Sequence, residues 1–344
     1  MRKLLNTLYI TKPDVYLATQ GENIVVREQQ KTLARYPLHN LQDIVLFTYL
    51  GMSPQLMERC MEYGIGIAYM SPRGRLIARI QGSSKGNILL RRTQYRVADD
   101  PAQSLDIIRN IIAAKVYNEK WVMERYIRQY EHRLDGRRLQ ACSLQLTDML
   151  EKVWGASALD TLRGFEGSAQ ALYFSCFDDM ILNQKDDFTF GIRSRRPPLN
   201  RVNALLSFMY AVLANDVASA LETVGLDAYA GFMHVDRPGR VSLALDVMEE
   251  LRAPVADRFV LSLINKKVVD AGDFDAESNG AVMLNESGRK KVIAKWQERK
   301  KEELTHPYIK EKISWGLVPF LQASLLARFL RNDLAACGRL LRYV

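Results

Sequence analysis

The sequence predicts an α+β fold, with a small, mostly antiparallel β domain at the N-terminus followed by a larger all-α-helical domain. Three observations predict it. Over roughly the first 80 residues the apolar side chains fall in short runs rich in β-branched and aromatic residues, cut by turn formers. From about Ala102 onward they recur at the 3.6-residue period of a helix. Between the two, Gly82-Ser83-Ser84-Lys85-Gly86 breaks the pattern as a linker would. The expected division is residues 1–85 for the β domain, 86–101 for the linker and 102–344 for the helices. A length of 344 residues suits two domains at about 150 residues each.

Residues 4–10, 15–19, 23–28, 41–47 and 65–70 have strand composition, and Lys12-Pro13-Asp14 and Gly21-Glu22-Asn23 supply turns between them. One helix interrupts the strands, because Ser53 offers a cap, Pro54 suits a first helical position and the following apolar residues keep helical spacing. Pro72-Arg73-Gly74 has the composition of a hairpin turn. Residues 106–130, 204–224 and 317–334 are long helical stretches with few β-branched clusters. Internal repeats and low-complexity tracts are absent, which excludes solenoids.

An apolar share of 48% with 25% charged residues excludes disordered, collagen-like and coiled-coil chains. No stretch approaches the roughly 18 apolar residues that span a bilayer, and the N-terminus turns polar before a signal-peptide core develops, so a cytoplasmic protein is expected. Cys60, Cys142, Cys176 and Cys337 stand far apart without a CxxC pair, which predicts buried reduced thiols rather than disulfides or a thiolate zinc site. Lys and Arg number 48 against 39 Asp and Glu, a net +9, and 31 of the 48 are Arg. Arg forks onto phosphate oxygens, so the bias favours a polyanionic partner, nucleic acid first. The plainer alternative is that these arginines pair with the chain's own acids.

The sequence lacks GxxxxGK[ST] and HExxH, which removes the commonest phosphate-loop and zinc-protease chemistries. Asp273, Asp275 and Glu277 resemble a calcium loop, but Ser278 and Leu284 stand where glycine and glutamate are needed, so a solvated loop is expected. Three segments remain. Glu166 lies between Gly164 and Gly167 at the expected start of a helix, where glycines leave a carboxylate accessible; dipole complementation is the plainer explanation. His234, in Gly231-Phe232-Met233-His234, precedes a turn with Arg237 and Arg240, although a lone histidine is often a hydrogen-bonded structural residue. Asp246 and Glu249 project from one face of a helix that Pro254 should end. In so apolar a stretch they need a proton, an arginine or a cation between them, unless the face is simply solvated. Carboxylates with one imidazole suit magnesium or manganese, and such an ion serves phosphoryl transfer on nucleic acid. Arg237, Arg240 and Arg252 are placed to neutralise phosphates. Further basic residues are Arg193, Arg195 and Arg196, and the stripe of Arg289, Lys290, Lys291, Lys295, Arg299, Lys300 and Lys301 around Trp296. Residues 285–301 hold seven bases against two acids. The alternative for the stripe is a solvated helix face with an apolar anchor.

In order and spacing, Gly164-Phe165-Glu166-Gly167, Arg195-Arg196-Pro197-Pro198 with Val202-Asn203 and Ser207, Gly231 to Arg240, and Leu243 to Arg252 resemble the CRISPR-associated integrase, the first and most widespread of the Cas proteins. The resemblance is strongest over about residues 160–254. It implies a divalent-metal-dependent DNA endonuclease and integrase that inserts spacers into a CRISPR array. The 3′-hydroxyl of a captured fragment attacks a phosphodiester, and water in its place gives cleavage. It further implies that Glu166, His234 and Glu249 hold magnesium or manganese, that Asp246 is a nearby acidic helper, and that Tyr173, Asn203 and Ser207 support the site. Implied partners are double-stranded DNA, a second copy joined through the β domain, and a small second CRISPR-associated protein, with no membrane. Asn200-Arg201 departs from the Asp-Pro of many relatives, so no ligand role follows for residue 200. A non-catalytic DNA-binding scaffold and a metal-dependent RNA-processing nuclease are the competing readings.

Overall fold

Short apolar runs that bury both faces make the central strands, and the edge strands are less completely buried. In the computed structural model, which describes residues 6–71, 75–80, 82, 87–133 and 136–334, the strand-rich part contains β1 (Thr7–Ile10), β2 (Tyr16–Gln20), β3 (Asn23–Glu28), β4 (Lys31–Pro37), β5 (Asp43–Leu46), α1 (Pro54–Tyr63), β6 (Gly66–Met70) and β7 (Leu76–Ile80). The antiparallel sheet β2-β3-β4 has the buried run Ile24, Val25 and Val26 at its centre. The other sheet, β1-β5-β6-β7, is mixed. Here β1 pairs with β5 and β5 with β6 in parallel, Thr7 opposite Asp43 and Asp43 opposite Gly66. With β2-β3, β3-β4 and β6-β7 antiparallel, the part is mostly antiparallel as expected; the parallel pairing of β5 with β6 is made possible by α1, which crosses over between them. The Ser53 hydroxyl caps α1 by accepting from the Leu56 amide at 3.2 Å, as its position predicts. β4 and β7 escape the sequence pattern because both are edge strands with no buried residue, so no alternation of apolar and polar positions marks them.

The turn at Pro72-Arg73-Gly74, residues 4 and 5 of the first expected strand, Gly86 and most of the preceding linker, and Cys337 lie outside the described residues. Residues 87–101 are no linker. Ile88–Ala98 forms α2, with Leu90 and Val97 in the helical core and the buried Gln94 amide donating to Asp227 O at 2.8 Å and Ala230 O at 2.9 Å.

The helical part comprises α3 (Pro101–Gln129), α4 (Gly136–Gly155), α5 (Leu159–Ser175), α6 (Arg201–Thr223), α7 (Ser242–Leu251), α8 (Arg258–Asn265), β8 (Phe274–Ala276), β9 (Val282–Leu284), α9 (Glu286–Lys301), β10 (Glu303–Thr305), β11 (Lys312–Ser314) and α10 (Val318–Leu330). It is therefore not all-helical: β8-β9 and β10-β11 are antiparallel ribbons. Nor does Pro254 end the helix after α7. The chain passes through a π-helical turn, Arg252–Asp257, directly into α8, and such turns recur at functional sites. Asp273 is buried rather than solvated, because it closes a capping box with Asp270 and pairs with Lys291 at 2.8 Å.

α6 also corrects the expectation that no stretch approaches membrane-spanning apolarity. It is long and apolar enough by length and composition, but 78% of its most apolar window is buried within the fold, as befits a core helix. Helix packing brings the sulfurs of Cys142 of α4 and Cys176 after α5 together across 34 residues, a proximity that spacing alone does not reveal. Cys60 is a buried free thiol whose titration burial pushes up to about 12. One large apolar core joins the helices to Val45, Phe47 and Met70 of the mixed sheet, and a smaller one lies beneath α1.

Candidate functional site

α3 packs against both α5 and α7, and this three-helix contact assembles the site. Glu166 comes from α5, eight residues into the helix rather than in its first turn as expected, since the helix already begins at Leu159. A side chain added at Gly164 or Gly167 meets nothing within 4 Å, so these glycines border open space beside Glu166. Glu249 comes from α7 and is 2% exposed. Between them reaches Lys115 of α3, its Nζ bonded to Glu166 Oε1 and 2.8 Å from Glu249 Oε2.

His234 belongs to the loop before α7, and that loop is fixed from several sides. Asp246 Oδ2 accepts from the Phe232 and Met233 amides at 2.7 and 3.0 Å, and Oδ1 accepts from the His234 amide at 3.1 Å. The same Oδ1 lies 2.5 Å from His234 Nδ1. Arg163 of α5 donates to Met233 O at 2.7 Å, and Gln94 holds the loop's beginning. Gly231 is required here, since a Cβ would come within 2.8 Å of Ser242 Cβ and 2.9 Å of Asp246 Oδ2. With Nδ1 committed to Asp246, Nε2 faces Glu249 Oε1 at 3.9 Å. A carboxylate behind one ring nitrogen is the arrangement that orients a metal-binding histidine.

Burial would raise the Glu249 carboxyl, but the charges of Arg252 and Lys115 override it and hold the group well below the usual carboxylate range. Arg252 Nη1 is 2.9 Å from Glu249 Oε1, and its guanidinium stacks 5.1 Å from the Tyr210 ring centroid. Arg252, expected to face phosphates, is carried inward by the π-turn to these partners. Glu119, one turn along α3 from Lys115, is buried and pushed up to about 8 by desolvation, against the pull of Lys115. Asp257, at the end of the π-turn, accepts from the Tyr210 hydroxyl at 2.7 Å and is raised by burial to about 6.

Tyr173 is fully buried against Phe174 and Phe177. Asn203 Oδ1 accepts from Arg193 Nη1 at 2.9 Å and the Ser194 amide at 3.1 Å, and Ser207 Oγ accepts from Arg193 Nη2 at 3.2 Å, so both pin the loop that carries Arg195 and Arg196. Asn200 caps α6 by accepting from the Asn203 amide at 2.8 Å. Arg195, Arg196 and Arg237 are exposed. Arg237 and Arg240, with Tyr229 and Asp236, line an open cleft of about 320 Å³ next to the His234 loop.

The stripe on α9 is largely self-paired. Arg289 donates to Leu284 O at 2.6 Å, Lys291 pairs with Asp273, Lys295 with Glu298 at 2.7 Å, and Arg299 with Glu302. Lys300 is buried against Asp216 at 3.1 Å, while Lys290 and Lys301 are exposed. Trp296 is the apolar anchor, edge-on to Phe259. Lys115, Glu119, Gln94, Arg163, Tyr210 and Asp257 were all missed from the sequence. The signal available for Lys115 and Glu119 was their position on a long helix among apolar residues, where a charged residue needs a buried partner.

Among the described residues no three His, Cys, Asp or Glu side chains close on one point, because Glu166 and Glu249 close on an ammonium. Two carboxylate oxygens that already share a cation, with an oriented imidazole beside them, are a donor set that fits magnesium or manganese. Fold and site thus define a mixed α+β protein in which two glutamates from different helices share a buried lysine beside an oriented histidine. The family described as CRISPR associated protein Cas1 matches residues 8–298, and the chain belongs to that family. A relative named CRISPR-associated endonuclease Cas1 2, from Rhodospirillum rubrum, is 46% identical over 98% of each chain. Among solved structures, a casposase bound to its integration product superposes with a TM-score of 0.84 at 21% identity, covering 98% of this chain and 94% of that one. The Cas6-RT-Cas1–Cas2 complex does so with a TM-score of 0.83 at 21% identity, over the whole of this chain and 37% of the longer one.

Proposed function

We propose that this chain is a divalent-cation-dependent DNA endonuclease and integrase, which inserts spacer DNA into a CRISPR array by transesterification. The observation that carries the reading is the run of contacts that links Glu166 through Lys115 to Glu249, His234 and Asp246 in a chain of the Cas1 family. Glu166, His234 and Glu249 would hold magnesium or manganese, which supplies polarisation of a phosphodiester and stabilises the leaving oxygen. Asp246 fixes the histidine tautomer and the loop. Arg195, Arg196, Arg237 and Arg240 take the flanking phosphates, and the cleft beside Arg237 receives the strand whose 3′-hydroxyl attacks. Water in that position gives cleavage. The named activity of the Rhodospirillum relative and the product held by the casposase support this chemistry.

For partners we propose double-stranded DNA, a second copy joined through the β-rich part, and the small second CRISPR-associated protein, in keeping with the Cas1–Cas2 assembly of the structural neighbour. The β-rich part would serve dimerisation and the helices catalysis, in the cytoplasm.

The test is joining and cleavage of a forked DNA in manganese by Glu166→Gln, His234→Ala and Glu249→Gln proteins. Both reactions should be lost while DNA binding survives. A His234→Ala protein that joins ends at the wild-type rate overturns the ligand assignment. Cleavage indifferent to divalent cation favours a scaffold, and preference for an RNA hairpin favours an RNA-processing nuclease.

A further inference from the structure

Lys115 is 1% exposed, in the middle of α3. Its ammonium is the group that joins two carboxylates from two other helices, Glu166 of α5 and Glu249 of α7. The Glu249 oxygens are divided: Oε1 faces Arg252 at 2.9 Å and His234 at 3.9 Å, while Oε2 is left to Lys115 at 2.8 Å. Two carboxylates buried this closely repel unless a positive charge stands between them. One turn along α3, Glu119 Oε2 is buried without a hydrogen-bond partner, within reach of a lysine four residues before it.

We propose that Lys115 is the built-in counter-ion of the metal centre: its ammonium holds Glu166 and Glu249 together before a divalent cation binds, and the cation enters by displacing it towards Glu119. The inference rests on the reading of Glu166 and Glu249 as ligands. A divalent ion carries twice the charge and accepts oxygen donors directly, so it outcompetes an ammonium for the pair, but the lysine charge opposes its entry. The lysine therefore lowers the affinity for the ion while preserving the geometry that the ion needs.

The test is manganese binding, followed by the electron paramagnetic resonance of the free ion, in wild-type, Lys115→Met and Lys115→Arg proteins. Lys115→Met should bind manganese about tenfold more tightly than wild type, the equivalent of removing one opposing charge interaction. It should also melt lower without the ion and gain more from it, while Lys115→Arg stays near wild type. A lysine with a merely structural role predicts equal or weaker binding in Lys115→Met, and that result overturns the proposal. Should Lys115→Met fail to fold, the side-chain ammonium resonance of Lys115 in wild type, assigned by its loss in Lys115→Arg, decides. It should shift on saturation with magnesium, and a resonance unmoved by magnesium overturns the proposal. A Glu166→Gln/Glu249→Gln protein separates the two layers. Binding as tight as wild type there overturns the metal-centre reading and this inference with it. Lost binding there, with wild-type affinity in Lys115→Met, overturns the role of Lys115 alone.

Discussion

At the scale of single residues, the site is built from buried charges whose partners are fixed by the backbone around them. Asp246 illustrates how much one carboxylate holds: three loop amides and the His234 ring converge on its two oxygens. Asn at 246 would turn one of those oxygens into a donor facing donors, and a buried polar group left unsatisfied costs about 1–3 kcal/mol. Asp246→Asn should therefore lose about that much in urea denaturation, with the slope unchanged, and should lose DNA joining as the imidazole comes adrift. Glu119 carries the pH dependence. Its folded titration near 8 stands above the ordinary 4.5 because burial disfavours the charge, despite Lys115 and with Glu166, Asp257 and Glu249 adding to the rise. The folded state thus holds that proton more tightly, so the contribution is complete below about 4.5 and is lost as pH rises through about 8. Wild-type stability should fall between pH 6 and 8 by about 1.4 kcal/mol per unit at most and level off above that. Glu119→Gln, which keeps the shape of the neutral acid, should flatten that interval, leaving below about pH 6 only the slope due to Asp257. A wild-type urea midpoint unchanged from pH 6 to 8 would refute the assignment.

At the scale of elements, the pattern of what the sequence showed has a physical cause. α1 was legible because cap, proline and period agree at Ser53-Pro54, and α3 and α6 because the helical period runs on over many turns. Glu166, His234, Asp246 and Glu249 were legible because their segments carry glycines or apolar neighbours that an ordinary surface does not need. What was not legible depends on partners distant in sequence: α2 is defined by Gln94 reaching the 227–230 loop, and Lys115 by two glutamates on other helices. The basic segments show the same limit. Composition makes α9 the stronger DNA-binding candidate, but its bases are largely spent within the fold, whereas the loop before α6 presents Arg195 and Arg196 to solvent. Replacing Arg195 and Arg196 by alanine should weaken DNA binding across sequences and lower the salt slope by about 1 for each phosphate that is no longer neutralised. Lys291→Glu should act mainly on stability, because it strips the buried Asp273 of its partner. A salt slope altered by Lys291→Glu but not by the arginine pair would reverse that ranking.

At the scale of the whole molecule, the strand-rich and helical parts are locked to each other as well as to themselves. Phe47 of the segment after β5 stacks on Phe208 of α6 at 5.8 Å between ring centroids. Arg79 of β7 donates to Asn215 Oδ1 and Ser219 Oγ, both at 2.7 Å, and lies 3.1 Å from Glu222. Lys300 of α9 joins Asp216 of α6 at 3.1 Å to Thr7 Oγ1 of β1 at 3.3 Å. Because Asp216 and Lys300 are buried together, removing one partner leaves an uncompensated charge and costs about 3–5 kcal/mol, whereas removing both is far milder. Lys300→Met should thus destabilise strongly, and Lys300→Met/Asp216→Asn should recover much of the loss, a coupling measurable by a double-mutant cycle. All four tryptophans, Trp121, Trp154, Trp296 and Trp315, lie in the helical part. Their fluorescence therefore reports only that half, and hydrogen exchange of the strand amides reports the other. With the joint intact the two probes should give one common unfolding transition, and in Lys300→Met the strands should open at lower urea than the helices. Coincident transitions in that variant would show that the apolar packing of Phe47 on Phe208, rather than the charged joint, couples the sheet to the helices that carry the site.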